Sequence, residues 1–513
     1  MQDITEWFPD FKVSAETDDE LMDYFLKTPT VERIVRENRW MIIGRKGTGK
    51  TAVYEYFRKS PPSAIGGYSS VALSFRDYPW PIHRLYREAM ESEISSYQKS
   101  WRYIVLTKVL STLISDSERK GKLPKDLANA KKLMNKLYGN PDPTLLEIIK
   151  SKIYRIKKID LPGAETTLVS GQLGGLEFED VAENEQLQRA LRSNAFQLLE
   201  YFESTLKRYI SGNRYMIIID QLDENWLESE IAEYSKAIVN LLLAAQSINN
   251  NPDYRNNLRI VVFLRRDIYE TLKFNDKNKI YQDGALEIKW AHDDLDEMIS
   301  ERIRRRAPAE LKLDHTLRSA AIFENKTVRH GATPLKHILR RSFYRPRDVI
   351  VYLNKLREAH DSSTKSIYKS SDLYKAEAAV SNSMYDELID EWAAQIPQFT
   401  GYLEALQNIG FEIFTFDQYF ESIRSIFSTA TKTNTQEILR FLFENSIVGQ
   451  KASVNWEYAC TNPNIQIDFS KPFHVNNGLK SRLVLTENRE RRKKTTKSVT
   501  KASSGRKRTR PIK

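Results

Sequence analysis

The sequence predicts an α/β protein with a parallel-sheet P-loop core, a helical lid, a C-terminal winged-helix-like α+β domain and a disordered basic tail. Three observations predict it. An apolar run, Trp40-Met41-Ile42-Ile43, leads into Gly44-Arg45-Lys46-Gly47-Thr48-Gly49-Lys50-Thr51 and then into a helical pattern over residues 52–57. A second run, Tyr215-Met216-Ile217-Ile218-Ile219, ends on Asp220. Beyond a Ser/Thr/Lys-rich stretch at 361–371 the pattern changes to short helices and a ribbon, then to a tail of Lys, Arg, Ser and Thr.

The loop fits G-x-x-x-x-G-K-[ST] at every fixed position. Gly44, Gly47 and Gly49 let backbone N–H groups curl around phosphate oxygens. The helix start adds its positive dipole end, with Ala52 continuing the cradle. Lys50 is placed to reach the β- and γ-phosphates, and the Thr51 hydroxyl to sit on Mg²⁺. A chance glycine turn with a surface lysine is the bland alternative, and the strand before and helix after argue against it. The pattern implies a nucleoside triphosphate, ATP with Mg²⁺.

A continuous apolar run ending in an acid is how a central parallel strand delivers a carboxylate to its C-terminal edge. Asp220 therefore suits the Mg²⁺-holding Walker B role. Asp223 and Glu224, on the turn that follows, are the candidates for polarising an attacking water; a helix-capping acid cluster is the alternative. The buried run 258–264 ends in Arg265-Arg266-Asp267. Those arginines suit a γ-phosphate sensor or a charge-stabilising finger for a neighbouring subunit, or else a solvated basic turn. Phe343-Tyr344-Arg345-Pro346-Arg347-Asp348 opens another helix. Arginines at a helix front work against its dipole, so Arg345 and Arg347 need a partner: a bound phosphate or Asp348.

With 513 residues, 41% of them hydrophobic, the chain has room for about three globular domains. Residues 1–30 form an arm with one small amphipathic helix marked by Leu21, Tyr24, Phe25 and Leu26. Residues 31–300 form the core, with 117–182 as an insertion; 301–360 form the lid. A joint at 361–371 leads to the winged-helix-like domain, 372–486. There the helices 414–427 and 435–444 precede a ribbon over 454–469 and a closing helix over 475–483.

No apolar run approaches the roughly 18 residues that cross a bilayer, so no membrane contact is expected. The N-terminus lacks a signal-peptide pattern. Cys460, the single cysteine, excludes an internal disulfide and a cysteine-cage zinc site, and a reducing, cytoplasmic setting is expected. Residues 488–513 hold twelve Lys or Arg and one acid, which equals the whole net charge of +11. The body is therefore near neutral. The tail reads as disordered and suited to nucleic-acid phosphates, with a solvated tail as the alternative.

The loop at 44–51, Ile217-Ile218-Ile219-Asp220-Gln221-Leu222-Asp223-Glu224, Phe263-Leu264-Arg265-Arg266-Asp267 and Arg345-Pro346-Arg347-Asp348, in this order, resemble the STAND and origin-recognition-like branch of the AAA+ ATPases. The nearest likeness is to bacterial P-loop ATPases with a similar C-terminal domain, over residues 20–485. Ordinary AAA+ members carry Glu directly after the Walker B Asp, whereas this chain has Gln221. The resemblance thus moves the catalytic acid to Asp223 or Glu224 and implies slow turnover. It also implies sensor roles for Arg265 or Arg266 and, in the lid, for Arg345 and Arg347. What it implies functionally is a nucleotide switch. ATP would close the lid of 300–360 and favour a homo-oligomer that controls a protein effector after some trigger, as in bacterial anti-phage defence. The alternative it implies is an ATP-gated DNA-binding protein.

Overall fold

The computed structural model describes residues 4–8, 10–37, 39–76, 95–149, 185–222, 231–307, 318–364, 366–393, 395–452 and 455–487. They fall into two compact units, Ser14–Lys289 and Met1–Val13 with Trp290–Lys513.

The first unit is built on strands β1 (Met41–Gly44), β2 (Ser69–Ser74), β3 (Tyr215–Asp220), β4 (Leu258–Arg265) and β5 (Ala285–Glu287). They form one parallel sheet in the order β2-β3-β4-β1-β5. Both faces are covered, which is why β1 and β3 are buried at every position and read as unbroken apolar runs. Ile217 and Ile219 join the main core with Trp101, Leu110, Phe202 and Leu241. These come from α3 (Ser95–Arg119), α5 (Glu185–Tyr209) and α6 (Ile231–Asn249), with α4 (Lys125–Tyr138) alongside. Alternation turns the intervening position of each strand, such as Ile42, Ile218 and Phe263, to the other face. There Tyr54 of α2 (Lys50–Lys59) meets Phe263 edge-on at 6.2 Å. Helix α1 (Pro29–Arg36) precedes β1, and α7 (Arg266–Thr271) and α8 (Lys277–Gly284) join β4 to β5.

Strands β1, β3 and β4 and the P-loop helix lie where the sequence places them. The amphipathic helix expected at Leu21 to Leu26 is only a short 3-10 turn, Leu21–Asp23. Its four apolar residues are too few to nucleate an α-helix. Half of the stretch at 117–182, residues 150–182, lies outside the described residues; the other half holds the end of α3, α4 and the short helix Leu145–Ile149.

The second unit contains α9 (His292–Arg306), α10 (Pro346–Ala359), α11 (Ser370–Trp392), α12 (Phe399–Ile409), α13 (Phe416–Ile426) and α14 (Lys432–Glu444). Strands β6 (Ile413–Phe414), β7 (Val448–Lys451), β8 (Trp456–Glu457) and β9 (Phe473–Val475) make an antiparallel sheet in the order β6-β9-β7-β8. The ribbon expected at 454–469 is a hairpin of β7 with the two-residue β8. In place of the closing helix at 475–483 stand the end of β9 and a run of turns.

The stretch 361–371, exposed at Asp361, Ser362, Ser363 and Ser371, lies within the second unit and is anchored at Tyr368. Tyr368 is fully buried against Phe8, Phe323 and His360, and its backbone bonds to Ile322 and Glu324 at 2.9 Å. Helix α10 then packs directly on α11, where the Tyr352 hydroxyl donates to the Leu373 carbonyl at 3.2 Å. The polar stretch 308–336, expected to be helical, shows only two 3-10 turns and the start of a short helix, Pro334–Leu339, among its described residues.

Candidate nucleotide site

β1 ends on Gly44, and the loop turns back on itself at once. A Cβ on Gly44 would run into the Thr48 side chain, so only glycine fits. Gly47 (φ 81°) and Gly49 (φ 90°) are left-handed, the conformation glycine adopts without steric cost. The Thr48 hydroxyl ties the loop by donating to the Arg45 carbonyl at 2.8 Å. Lys50 opens α2, and its ammonium donates to the carbonyls of Gly44 and Arg45, both at 3.0 Å. The first helical hydrogen bond runs from the Val53 amide to Gly49 at 3.0 Å. The amides of Lys50, Thr51 and Ala52 therefore precede it, the arrangement that makes a helix start a phosphate cradle.

Asp220 closes β3 at the same C-terminal edge of the sheet, with only 3% of its surface exposed. Helix α2 runs past it: burial, and then the Asp220 carboxylate, hold the Tyr54 phenol well above its ordinary pKa. Among the described residues no group of three or more His, Cys, Asp or Glu is arranged to hold a metal. Mg²⁺ needs no such group. It takes one or two protein oxygens and completes its octahedron with phosphates and water, and the Thr51 hydroxyl and Asp220 carboxylate fit that donor set.

Gln221, the residue after Asp220, is buried and left-handed (φ 64°). Ser74, which is in register with Asp220 at the end of β2, donates its hydroxyl to the Gln221 side-chain oxygen. The Gln221 amide donates in turn to Glu16 Oε1 at 3.2 Å. Glu16 lies in a 3-10 turn of the arm, Ala15–Thr17, and also accepts from the Ser14 hydroxyl and faces Arg76 at 3.6 Å. Burial pushes its pKa up, but the Ser14, backbone and Gln221 hydrogen bonds and the Arg76 charge together hold it below the usual value. Neither Glu16 nor Ser74 stands out in the sequence. Glu16 meets Gln221 across 205 positions, and the one available signal is a polar residue closing the apolar run that ends at Ser74.

Asp223 and Glu224 lie outside the described residues. Arg265 ends β4 in register with Gly44, so it stands beside the loop. It makes a two-pronged bond to Asp267 at 3.1 and 2.6 Å and is 11% exposed. Arg266 points elsewhere, to Glu270 at 2.8 Å and Glu287 at 2.7 Å, and is half-exposed. Both arginines have carboxylate partners.

Arg345 and Arg347 belong to the second unit. Arg345 is 2% exposed and is held by Asp348 at 3.0 Å and Glu391 at 3.1 Å. Burial pushes its guanidinium pKa down, and those two carboxylates raise it by more. Arg347 donates to Glu387 at 2.7 Å. Of the two partners open to the Arg345 side chain, the structure has Asp348. That corrects the reading of Arg345 as a nucleotide ligand, since a guanidinium enclosed by two carboxylates offers no face to a phosphate.

Residues 293–389 match the FunZ-associated C-terminal helical domain family. The match lies inside the second unit and includes α10 and nearly all of α11. The transposon gamma-delta 80.3 kDa protein of Escherichia coli (strain K12) is 21% identical over 408 residues, covering 77% of this chain and 53% of that protein. The chain thus spans about half the length of the curated relative it matches. Solved structures with similarity include a Walker-type ATPase of Pyrococcus abyssi (10% identity, TM-score 0.38, 90% of this chain and 95% of that one). The ORC1 protein of Aeropyrum pernix, solved in complex with DNA, gives 11% identity and a TM-score of 0.35 over 91% of this chain and 96% of that one. The fold described above rests on the sheet order and the glycine loop, not on these neighbours. No helix among the described residues is long and apolar enough to cross a membrane.

Proposed function

We propose that this chain is a Mg²⁺-dependent, ATP-binding and slowly hydrolysing P-loop switch of the AAA+ type. The observation that carries the reading is the pairing of the glycine cradle at 44–52 with Asp220 on one parallel-sheet edge. In this reading the backbone amides at the start of α2 receive the phosphates. The Lys50 ammonium exchanges its two loop carbonyls for β- and γ-phosphate oxygens, a trade of neutral acceptors for charged ones. Thr51 and Asp220 would hold Mg²⁺, which when bound neutralises charge on the β- and γ-oxygens. Asp223 and Glu224 remain the proposed water-polarising acids. Arg265 is the proposed sensor: it lies level with Gly44, and a γ-phosphate would compete with Asp267 for its guanidinium. Arg266 is proposed only as a contact to a neighbouring copy in an ATP-state homo-oligomer, Arg347 as the sensor arginine of the lid, and the second unit as the part that passes the nucleotide state to a protein effector.

A second reading, ATP-gated DNA binding, is favoured by the tail at 488–513. The order α12–β6–α13–α14–β7–β8–β9 supports a winged-helix-like body. Its body gives DNA less: α14 carries Lys432 and Arg440 but also Glu437 and Glu444. The experiment that separates the readings is ATP hydrolysis with and without duplex DNA at two salt concentrations. Slow turnover indifferent to DNA supports the switch awaiting another trigger. DNA stimulation that fades with salt and with removal of 488–513 supports the second reading.

A further inference from the structure

Gln221 occupies the place directly after the Walker B acid, and its geometry is constrained at every point. Its left-handed backbone is unfavourable for an L-residue, a strain that persists only where the surroundings over-determine it. Both ends of its side-chain amide are held: Ser74 donates to the oxygen, and the nitrogen donates to Glu16. Among the described residues Glu16 is the one carboxylate hydrogen-bonded to Gln221. It reaches this edge from the arm, is itself tied down by Ser14 and Arg76, and keeps 25% of its side chain exposed. A glutamine with a fixed amide at the end of a P-loop site is a group suited to orienting an attacking water.

We propose that Glu16 is a positioning residue for ATP hydrolysis, acting from the N-terminal arm by holding the Gln221 amide where it orients the attacking water. The inference rests on the ATPase reading above. In the step served, the water oxygen bonds to the γ-phosphorus and the bond to the β,γ-bridging oxygen breaks. ADP leaves with that electron pair, and the water proton passes to solvent. Glu16, occupied by its hydrogen bonds, takes no proton. Its task is to hold the donor. A fixed donor converts into rate because a small misplacement of a reacting group is costly: about 10²-fold for 1 Å.

The role makes Glu16 and Gln221 one unit, and that is the test. Steady-state ATP hydrolysis and binding of a non-hydrolysable ATP analogue are measured for wild type, Glu16→Ala, Glu16→Gln, Gln221→Ala and the double alanine variant. Glu16→Ala and Gln221→Ala are each expected to lower kcat about tenfold with analogue affinity unchanged. The double variant should be no slower than either single, as for residues acting together. Glu16→Gln, whose side-chain oxygen still accepts from Gln221, should restore kcat to within about threefold of wild type. Wild-type kcat in Glu16→Ala, an equal loss in Glu16→Ala and Glu16→Gln, or losses that multiply in the double variant would each overturn the proposal. A wild-type protein that binds no nucleotide overturns the ATPase reading itself, and this inference with it. The shared melting temperature of Glu16→Ala and Glu16→Gln separates a rate effect from misfolding.

Discussion

Arg265 and Arg345 each bond to an aspartate two or three residues farther along the chain, and the surroundings give those two pairs different meanings. Arg265 ends a parallel strand, level with the first glycine of the phosphate loop, and among the described residues its carboxylate partner is Asp267. Arg345 opens a helix in the other unit, enclosed by a second carboxylate, Glu391, that is as buried as itself. A single ion pair at a sheet edge can trade its partner for a ligand. A buried arginine shared between two carboxylates cannot, because leaving them uncompensated costs several kcal/mol. Position in the fold, not the Arg–Asp pattern, separates a candidate sensor from a structural staple.

The contrast can be broken most sharply at Arg345. Arg345→Ala is expected to destabilise the second unit by about 3–5 kcal/mol, the cost of breaking a buried pair by removing one partner. Denaturant unfolding checks this, and a loss under ~1 kcal/mol would mean the triad is not the staple described here. Next in size is acid sensitivity. His474 of β9 shares a hydrogen bond with the Tyr458 hydroxyl at 2.7 Å, and burial, with Lys480 nearby, pushes its pKa down to about 4. The unfolded chain then binds more protons than the folded one between about pH 6.5 and 4. Stability contributed by the neutral ring is full above that window and is lost as pH falls through it, by about 3 kcal/mol at most. His474→Asn should flatten the pH dependence of unfolding of the second unit across that window, and an unchanged slope would assign the acid loss elsewhere.

Smaller still is the sensor effect. Arg265→Ala should reduce hydrolysis about a hundredfold, near the low end for losing one charge-stabilising group, with ATP still bound. Equal turnover in that variant would leave the Arg265–Asp267 pair as structural as that of Arg345. Smallest is Arg266→Ala. Its half-exposed bonds to Glu270 and Glu287 should be worth about 0–1 kcal/mol by thermal unfolding.

Legibility in the sequence followed the same division. β1, β3 and β4 are buried on both faces, so each reads as a continuous apolar run, and their ends carry Gly44, Asp220 and Arg265 to one edge. In the second unit the strands are two to four residues long, too short to show a period; α12 gave no distinct signal, and the turns after β9 read as a closing helix. Glu16 was invisible for another reason. Its meaning comes from a contact with Gln221 that only the folded chain creates, while the residue that flagged the site, Gln221 itself, was legible as a departure from the family pattern. Arg345 was half legible: the need for a partner was clear, and Glu391, 46 positions away, was not.

The most direct test of the central claim is calorimetric titration of ATP with Mg²⁺ into the full chain and into Lys50→Ala. Saturable binding by the wild type that weakens on omitting Mg²⁺ and is lost or reduced at least about tenfold in Lys50→Ala is the expected result. Equal affinity in both proteins, or no binding by the wild type, would contradict the assignment of the loop at 44–52 as the nucleotide site.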